Sequence, residues 1–304
     1  MIRHSFKSKV LLLVFILTII VNYLSATGFL TGNSQKSLSD RYQTLLTPAP
    51  LAFSIWSVIY LLTFLVILRA IFSKSQSYQD NFASIFPYFL GLLLVNNIWT
   101  VFFTSNLIGL STIIIFAYCI LLVIIIKILS KNKSKLLLRI TFGIHAGWLL
   151  VASLVNLAVY LVKIDFNYPL PKVYIAIIAL IFITVLSLYL ARVLQNAYLI
   201  LSVFWAWLMV FKAHLEGNFQ HLYFSIQILS LIAAIILGVS FFIIGYYNVK
   251  ERYKQKNTAL THGFFERNTK SSIIMYFPLS LDVCLMIEVQ FISGAFLYCI
   301  KVNP

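Results

Sequence analysis

The stretch Pro48-Ala-Pro-Leu-Ala-Phe53-Ser-Ile-Trp56-Ser-Val-Ile-Tyr60 carries the chain from a polar loop into a long apolar run, with two prolines set just ahead of three aromatic rings. Proline is tolerated in the first turn of a helix, where its missing N–H would have no intrahelical partner. Pro50 therefore predicts a helix start, at a membrane surface, for a helix running to about Phe72. Phe53, Trp56 and Tyr60 follow at steps of three and four, which at 100° per residue keeps them within an arc of roughly 60°. One wall of this helix is aromatic near its polar mouth, and such a wall is expected to line an internal cleft.

Composition decides the medium in which that helix sits. Hydrophobic residues make up 61% of the 304 residues and charged residues only 10%, with a mean hydropathy of +0.95. Too few charges remain to build a water-facing surface, so the chain reads as an integral membrane protein. The net charge of +15 is read as loop charge beside a lipid bilayer, with no nucleic-acid partner. Cys119, Cys284 and Cys299 lie in or beside apolar runs without metal-ligand or disulfide-framework spacing.

Eight apolar runs follow one another: Val10 to about Leu30, Leu51–Phe72, Ile85–Phe103, Leu107–Leu129, Leu136–Val162, Val173–Leu194, Ala197–His214 and Tyr223–Tyr247. Each is near the roughly 20 residues a helix needs to cross a bilayer core. Backbone groups in lipid must be satisfied within the segment, and the alternation of barrel strands is absent, so the fold class is an all-α polytopic bundle. The first run resembles a cleavable secretory signal, with Arg3, Lys7 and Lys9 before it and small residues at Ser25 and Ala26. It continues through Gly28, Phe29 and Leu30, however, and is read as a retained span.

With eight spans, one side of the membrane carries only Lys36, Arg41, Lys163, Lys172 and Lys212, and the other basic residues fall on the opposite side. The positive-inside rule then places both termini in the cytoplasm, with the plasma membrane as the location in a prokaryote. The tail opens with the solvated basic stretch Lys250–Lys256. Residues 272–300 turn apolar again, interrupted by Pro278, Asp282 and Glu288. A ninth span would carry Glu288 toward mid-membrane at a cost of a few kcal/mol, so an interfacial or poorly ordered segment is expected instead.

Polar and aromatic residues inside the apolar runs carry the functional information, because each costs energy unless it faces the bundle interior. Asn96, Trp99 and Phe103 repeat the three-then-four spacing on the third run. His145, Trp148, Ala152 and Asn156 lie within an arc of about 80° on the fifth. Blander readings exist for each: the asparagines as glue between helices, Trp56, Tyr60 and Trp148 as interfacial belt residues, and His145 as a satisfied buried histidine. Gly143-Ile-His-Ala-Gly147 is a GxxxG that suits close helix contact within the chain or in a homodimer. On the seventh run Trp205 and Trp207 precede Lys212, His214 and Glu216, whose charges read as snorkelling ends. No paired buried carboxylates, nucleophile–base arrangement, phosphate loop or HExxH occurs in the sequence, which argues against an enzyme.

Pro48 and Pro50 with Phe53, Trp56 and Tyr60, then Asn96 with Trp99 and Phe103, then Trp148 with Ala152 and Asn156, resemble the signature blocks of the translocator protein/tryptophan-rich sensory protein (TspO/MBR) family. The resemblance covers residues 10 to 162. It implies a five-helix core over 1–162, three additional helices over 163–247 and a basic tail over 248–304. It also implies binding of a tetrapyrrole or lipid-like ligand in an aromatic-lined cleft, for sensing or transport. Phe53, Trp56, Tyr60, Trp99, Phe103 and Trp148 would supply stacking area, Asn96, His145 and Asn156 hydrogen bonds, and Lys36 and Arg41 the cations for porphyrin carboxylates. The chain departs from the pattern at Leu51, where the family's second tryptophan stands, and at Ile144-His145 in place of Pro-Tyr. Its alternatives are a secondary transporter of a small solute, and a structural or regulatory membrane protein without a small ligand.

Overall fold

The computed structural model describes the backbone of residues 2–132, 134–216, 223–267, 272–278, 284–292 and 295–303, and side chains over 6–132, 134–216 and 223–251. The chain forms two compact units, Met1–Asn248 and Val249–Pro304.

Each apolar run becomes a helix: α1 (Ile2–Ala26), α3 (Ile55–Phe72), α4 (Gln76–Thr104), α5 (Ile108–Lys131), α6 (Leu136–Lys163), α7 (Lys172–Val193), α8 (Tyr198–Glu216) and α9 (Phe224–Arg267), the last of which belongs to the first unit only as far as Asn248. A short helix α2 (Gln35–Arg41) lies in the loop between α1 and α3. Eight of these are long and apolar enough to cross a membrane, as the hydropathy of the sequence predicts. Pro50 does open its helix: a 3₁₀ turn, Pro50–Ser54, precedes α3 and leads straight into it. Helix α4 starts nine residues before the apolar run does, because the polar segment from Gln76 continues the helix, and it carries Pro87 in its interior.

Five helices close a ring, α1 against α3 and α4, α4 against α5, α5 against α6, and α6 back against α3. Helix α8 packs on the outer side of α6, and α7 packs on α8, where Trp207 Nε1 donates to Thr184 Oγ1 at 3.0 Å. Helix α9 meets α8 through Phe241 and Tyr198, whose rings are 6.0 Å apart.

The GxxxG is where α6 and α8 touch. A Cβ added at Gly147 would lie 1.9 Å from the Leu199 carbonyl oxygen, and one at Gly143 would lie 2.7 Å from Asn196 Oδ1. Between them, Ser202 Oγ donates to the Ile144 carbonyl at 2.7 Å. The motif is spent on contact within the chain.

Helix α8 in turn holds the long loop between α1 and α3. The Ala49 N–H donates to the Met209 carbonyl at 2.9 Å, Trp205 Nε1 donates to the Ala52 carbonyl at 3.3 Å, and His214 Nε2 is 2.8 Å from the Leu45 carbonyl.

In the second unit the strands β1 (Ser272–Pro278), β2 (Cys284–Ile292) and β3 (Ala295–Asn303) form an antiparallel sheet in the order β1-β2-β3, with Ile274 opposite Glu288 and Glu288 opposite Cys299. The sequence reading expected an interfacial or poorly ordered segment here. Runs of seven to nine residues rich in Ile, Val, Phe and Tyr are strand-sized, and a length criterion set for membrane helices passes over them. Asp282, one of the interruptions noted in the tail, lies outside the described residues.

Candidate functional site

At the loop-bearing end of the ring, α3, α4 and α6 bring their aromatic stripes together. Trp56 is the hub. Its ring centroid lies 5.5 Å from Tyr60 and 6.0 Å from Trp99 in stacked orientations, and 6.3 Å from Trp148 and 6.0 Å from His145 edge-on. Phe103 extends the series, 5.6 Å from Trp99. Offset-stacked and edge-to-face pairs of this kind are each worth about 0.5–1.5 kcal/mol beyond the area they bury. Trp56, Trp99 and Trp148 are 9%, 6% and 4% exposed, so these rings face inward and do not form an interfacial belt.

They enclose a cavity of about 60 Å³ lined by Phe53, Trp56, Trp99, Phe103, Trp148, Ala152 and Asn156 among others. On α6 the lining residues Trp148, Val151, Ala152, Val155, Asn156 and Val159 recur at the three-and-four spacing of a single helix face. The roof is Gln35 and Ser39 of α2 and Pro48 of the loop. A second recess of about 360 Å³ lies on the far side of Phe53 and Trp56, bordered by Asn22, Lys36 and Tyr60. Gln35, Phe53 and Trp56 line both spaces and so form the partition between them.

Behind the rings runs a buried polar chain. Asn22 Nδ2 donates to Asn96 Oδ1 at 2.9 Å, Asn96 Nδ2 donates to the Tyr118 hydroxyl at 3.0 Å, and that hydroxyl is 2.7 Å from His145 Nε2. It ties α1, α4, α5 and α6 together at mid-bundle, where unpaired polar groups would be costly. Asn156 works in the same way. Its Oδ1 accepts from Trp99 Nε1 at 3.0 Å, and its Nδ2 donates to Thr112 Oγ1 at 2.7 Å.

Of the ten residues singled out from the sequence, seven therefore share one cavity. Tyr60 borders the neighbouring recess, while Asn96 and His145 belong to the polar chain and do not line the cavity. The two cations assigned to carboxylate recognition lie elsewhere: Lys36 pairs with Asp40 at the edge of the larger recess, and Arg41 Nη2 is 3.5 Å from Asn33 Oδ1. No charged side chain lines the small cavity among the described residues. Gln35, Val151, Val155, Asn22 and Tyr118 escaped the sequence reading. The last two are polar or hydroxyl-bearing residues inside apolar runs, the same signal that drew attention to Asn96.

Two donors at this cavity have no acceptor. Trp148 Nε1 and Gln35 Nε2 are both buried, and neither has a hydrogen-bond partner among the described residues. A buried N–H left unpaired costs about 1–3 kcal/mol.

Helices of this length and apolarity, closing around an interior wall of rings, define an integral multi-pass membrane protein. The chain belongs to the TSPO-like protein family, whose model matches residues 8–243. The match runs beyond the stretch that carries the three motif blocks, through α7 and α8 and into α9. Comparison with the curated proteins and with the solved structures finds no match.

Proposed function

We propose that this protein binds a hydrophobic small molecule, tetrapyrrole or lipid-like, between α3, α4 and α6, and that it acts by binding and not by catalysis. The observation that carries this reading is a cavity walled mainly by aromatic and aliphatic groups, on which two donors, Trp148 Nε1 and Gln35 Nε2, have no partner among the described residues. Such a wall selects an apolar body, and two fixed N–H groups select a hydrogen-bond acceptor on it.

The small cavity alone holds nothing larger than a few heavy atoms. Joined to the neighbouring recess of about 360 Å³ by movement of Phe53, it falls within the roughly 300–1,000 Å³ typical of small-molecule sites. Phe53 sits on the 3₁₀ turn ahead of α3 and is only partly buried, so its side chain is the natural element to yield. A flat or elongated ligand would then lie along Trp56, with its acceptor toward Trp148. The scarcity of Lys and Arg at this end of the bundle supports an orientation in which the site opens away from the cytoplasm and both termini face it.

Tryptophan fluorescence titrated with protoporphyrin in detergent tests the reading, since three of the five tryptophans meet at the site. Saturable quenching is expected, weakened about tenfold by Trp56→Ala, which removes the central stacking partner. Quenching that is absent, or that is unchanged in Trp56→Ala, overturns it.

A further inference from the structure

Helix α7 leans on α8 and stands off α6 at its loop-bearing end, leaving a groove of about 360 Å³ that the ring-lined site does not touch. Leu154, Leu157 and Leu161 of α6 face Ile175 and Ala179 of α7 across it. At the loop end the groove is bordered by Thr44, Tyr168 and Lys172, the last of these the one charged side chain in the lining among the described residues. We propose that this groove is a binding site for an anionic phospholipid of the surrounding leaflet, one acyl chain lying between α6 and α7 and the phosphate meeting Lys172.

Three features of the groove fit that occupant. First, the α6 and α7 walls are aliphatic along Leu154, Leu157, Leu161, Ile175 and Ala179, with the polar residues Thr44 and Tyr168 at the loop end, so the inner part offers water no polar partners and suits hydrocarbon. Second, the depth matches. From Leu154 to Val162 the α6 wall rises eight residues, about 12 Å, against roughly 15 Å for half a hydrocarbon core. Third, the charge is complementary. Lys172 is exposed, its ammonium lies 5.9 Å from the centroid of the Tyr168 ring, and it takes part in no ion pair among the described residues. The other lysine–carboxylate contacts on this side, Lys36 with Asp40 and Lys212 with Glu216, are self-contained pairs within single helices. Lys163, at the end of α6, is turned away to donate to the Asn106 carbonyl. A phosphate at the groove mouth therefore meets the Lys172 ammonium, and among the described residues no carboxylate lines the groove to oppose it.

The site would belong to the part of the chain that α7 adds to the five-helix ring, and it does not depend on what the aromatic cavity binds.

The test is native mass spectrometry of the full chain released from bilayers of phosphatidylcholine and phosphatidylglycerol with identical acyl chains. One retained phosphatidylglycerol per chain is expected, preferred about fivefold over phosphatidylcholine, the contribution of a single lysine near a lipid surface. Lys172→Gln should abolish the preference, and Lys212→Gln, which removes a charge on the same side outside the groove, should leave it. Ala179→Phe, which fills the groove, should lower retention of both lipids while thermal stability confirms a folded chain. The proposal is overturned if the wild type shows no preference, if Lys172→Gln and Lys212→Gln behave alike, or if a folded Ala179→Phe variant retains lipid as before.

Discussion

Substituting Gly147 by alanine adds a single methyl group, and the structure places it 1.9 Å from the Leu199 carbonyl oxygen and 2.4 Å from Ser202 Oγ. The serine can rotate away, at the loss of its hydrogen bond to the Ile144 carbonyl, worth about 1 kcal/mol. The carbonyl cannot, because it belongs to the first turn of α8. Restoring an ordinary contact requires α8 to retreat by about 1.5 Å, which loosens the packing around Leu199, Ile200, Val203 and Ala206, all at most 1% exposed. Overpacking of a rigid interface costs about 1–3 kcal/mol, and with the lost hydrogen bond the total approaches about 4 kcal/mol. At roughly 2–4 °C per kcal/mol for a chain of this size, the unfolding midpoint should fall by about 8–15 °C. Intrinsic tryptophan fluorescence during thermal unfolding in detergent reads it out. Gly91→Ala is the matched control. A Cβ there meets only Leu121 Cδ1, at 3.8 Å, and alanine is the better helix former, so its midpoint should hold or rise. If Gly147→Ala melts within a degree or two of Gly91→Ala, the close approach of α6 and α8 is not a constraint on the fold and the reasoning fails.

Trp148→Phe removes an unpaired buried donor while keeping most of the ring. Relief of the donor opposes the packing lost with part of the indole, so the ligand-free protein should melt within a few degrees of the wild type while protoporphyrin binding weakens by about fivefold; unchanged binding would show that Nε1 does not meet the ligand. Tyr118→Phe strips the shared partner from Asn96 Nδ2 and His145 Nε2 in one step. It should cost about 2–4 kcal/mol in thermal or denaturant unfolding, and a neutral result would show that the mid-bundle polar chain does not hold α4, α5 and α6 together.

Much of this was legible in the chain because a bilayer simplifies the code. Eight apolar runs form eight helices, since without the alternation of barrel strands only a helix satisfies its backbone groups in lipid. The three-and-four stripe spacing on the second, third and fifth runs marks the faces that turn inward, because indole and amide groups gathered on one helix face avoid lipid by meeting those of other helices. What the stripes could not reveal is which polar atoms are consumed. Asn96 and Asn156 look alike in sequence, yet only Asn156 borders the cavity, and both have their amides committed to neighbouring helices. That distribution depends on Asn22, Tyr118, Ser111 and Thr112 arriving from other spans, and helix-to-helix register carries no local signature. The tail sheet was missed for a related reason: strand-length apolar segments beside a membrane protein imitate broken spans, and only pairing between β1, β2 and β3 tells them apart.

The helices beyond the ring matter to the site as well. Every helix lining the small cavity lies within the first 163 residues, so a chain ended there keeps the walls. It loses what holds the roof. Pro48 and the 3₁₀ turn carrying Phe53 are fastened by Ala49 to Met209, by Ala52 to Trp205 and by Leu45 to His214, all on α8. Helix α8 is itself seated by the glycine contact on α6. If Phe53 yields to a ligand as proposed and then returns to close the partition, it needs a fixed hinge on either side of it. The ring supplies one through α3, and α8 supplies the other, so on the proposed reading α8, outside the five-helix ring, fixes the roof of the cavity.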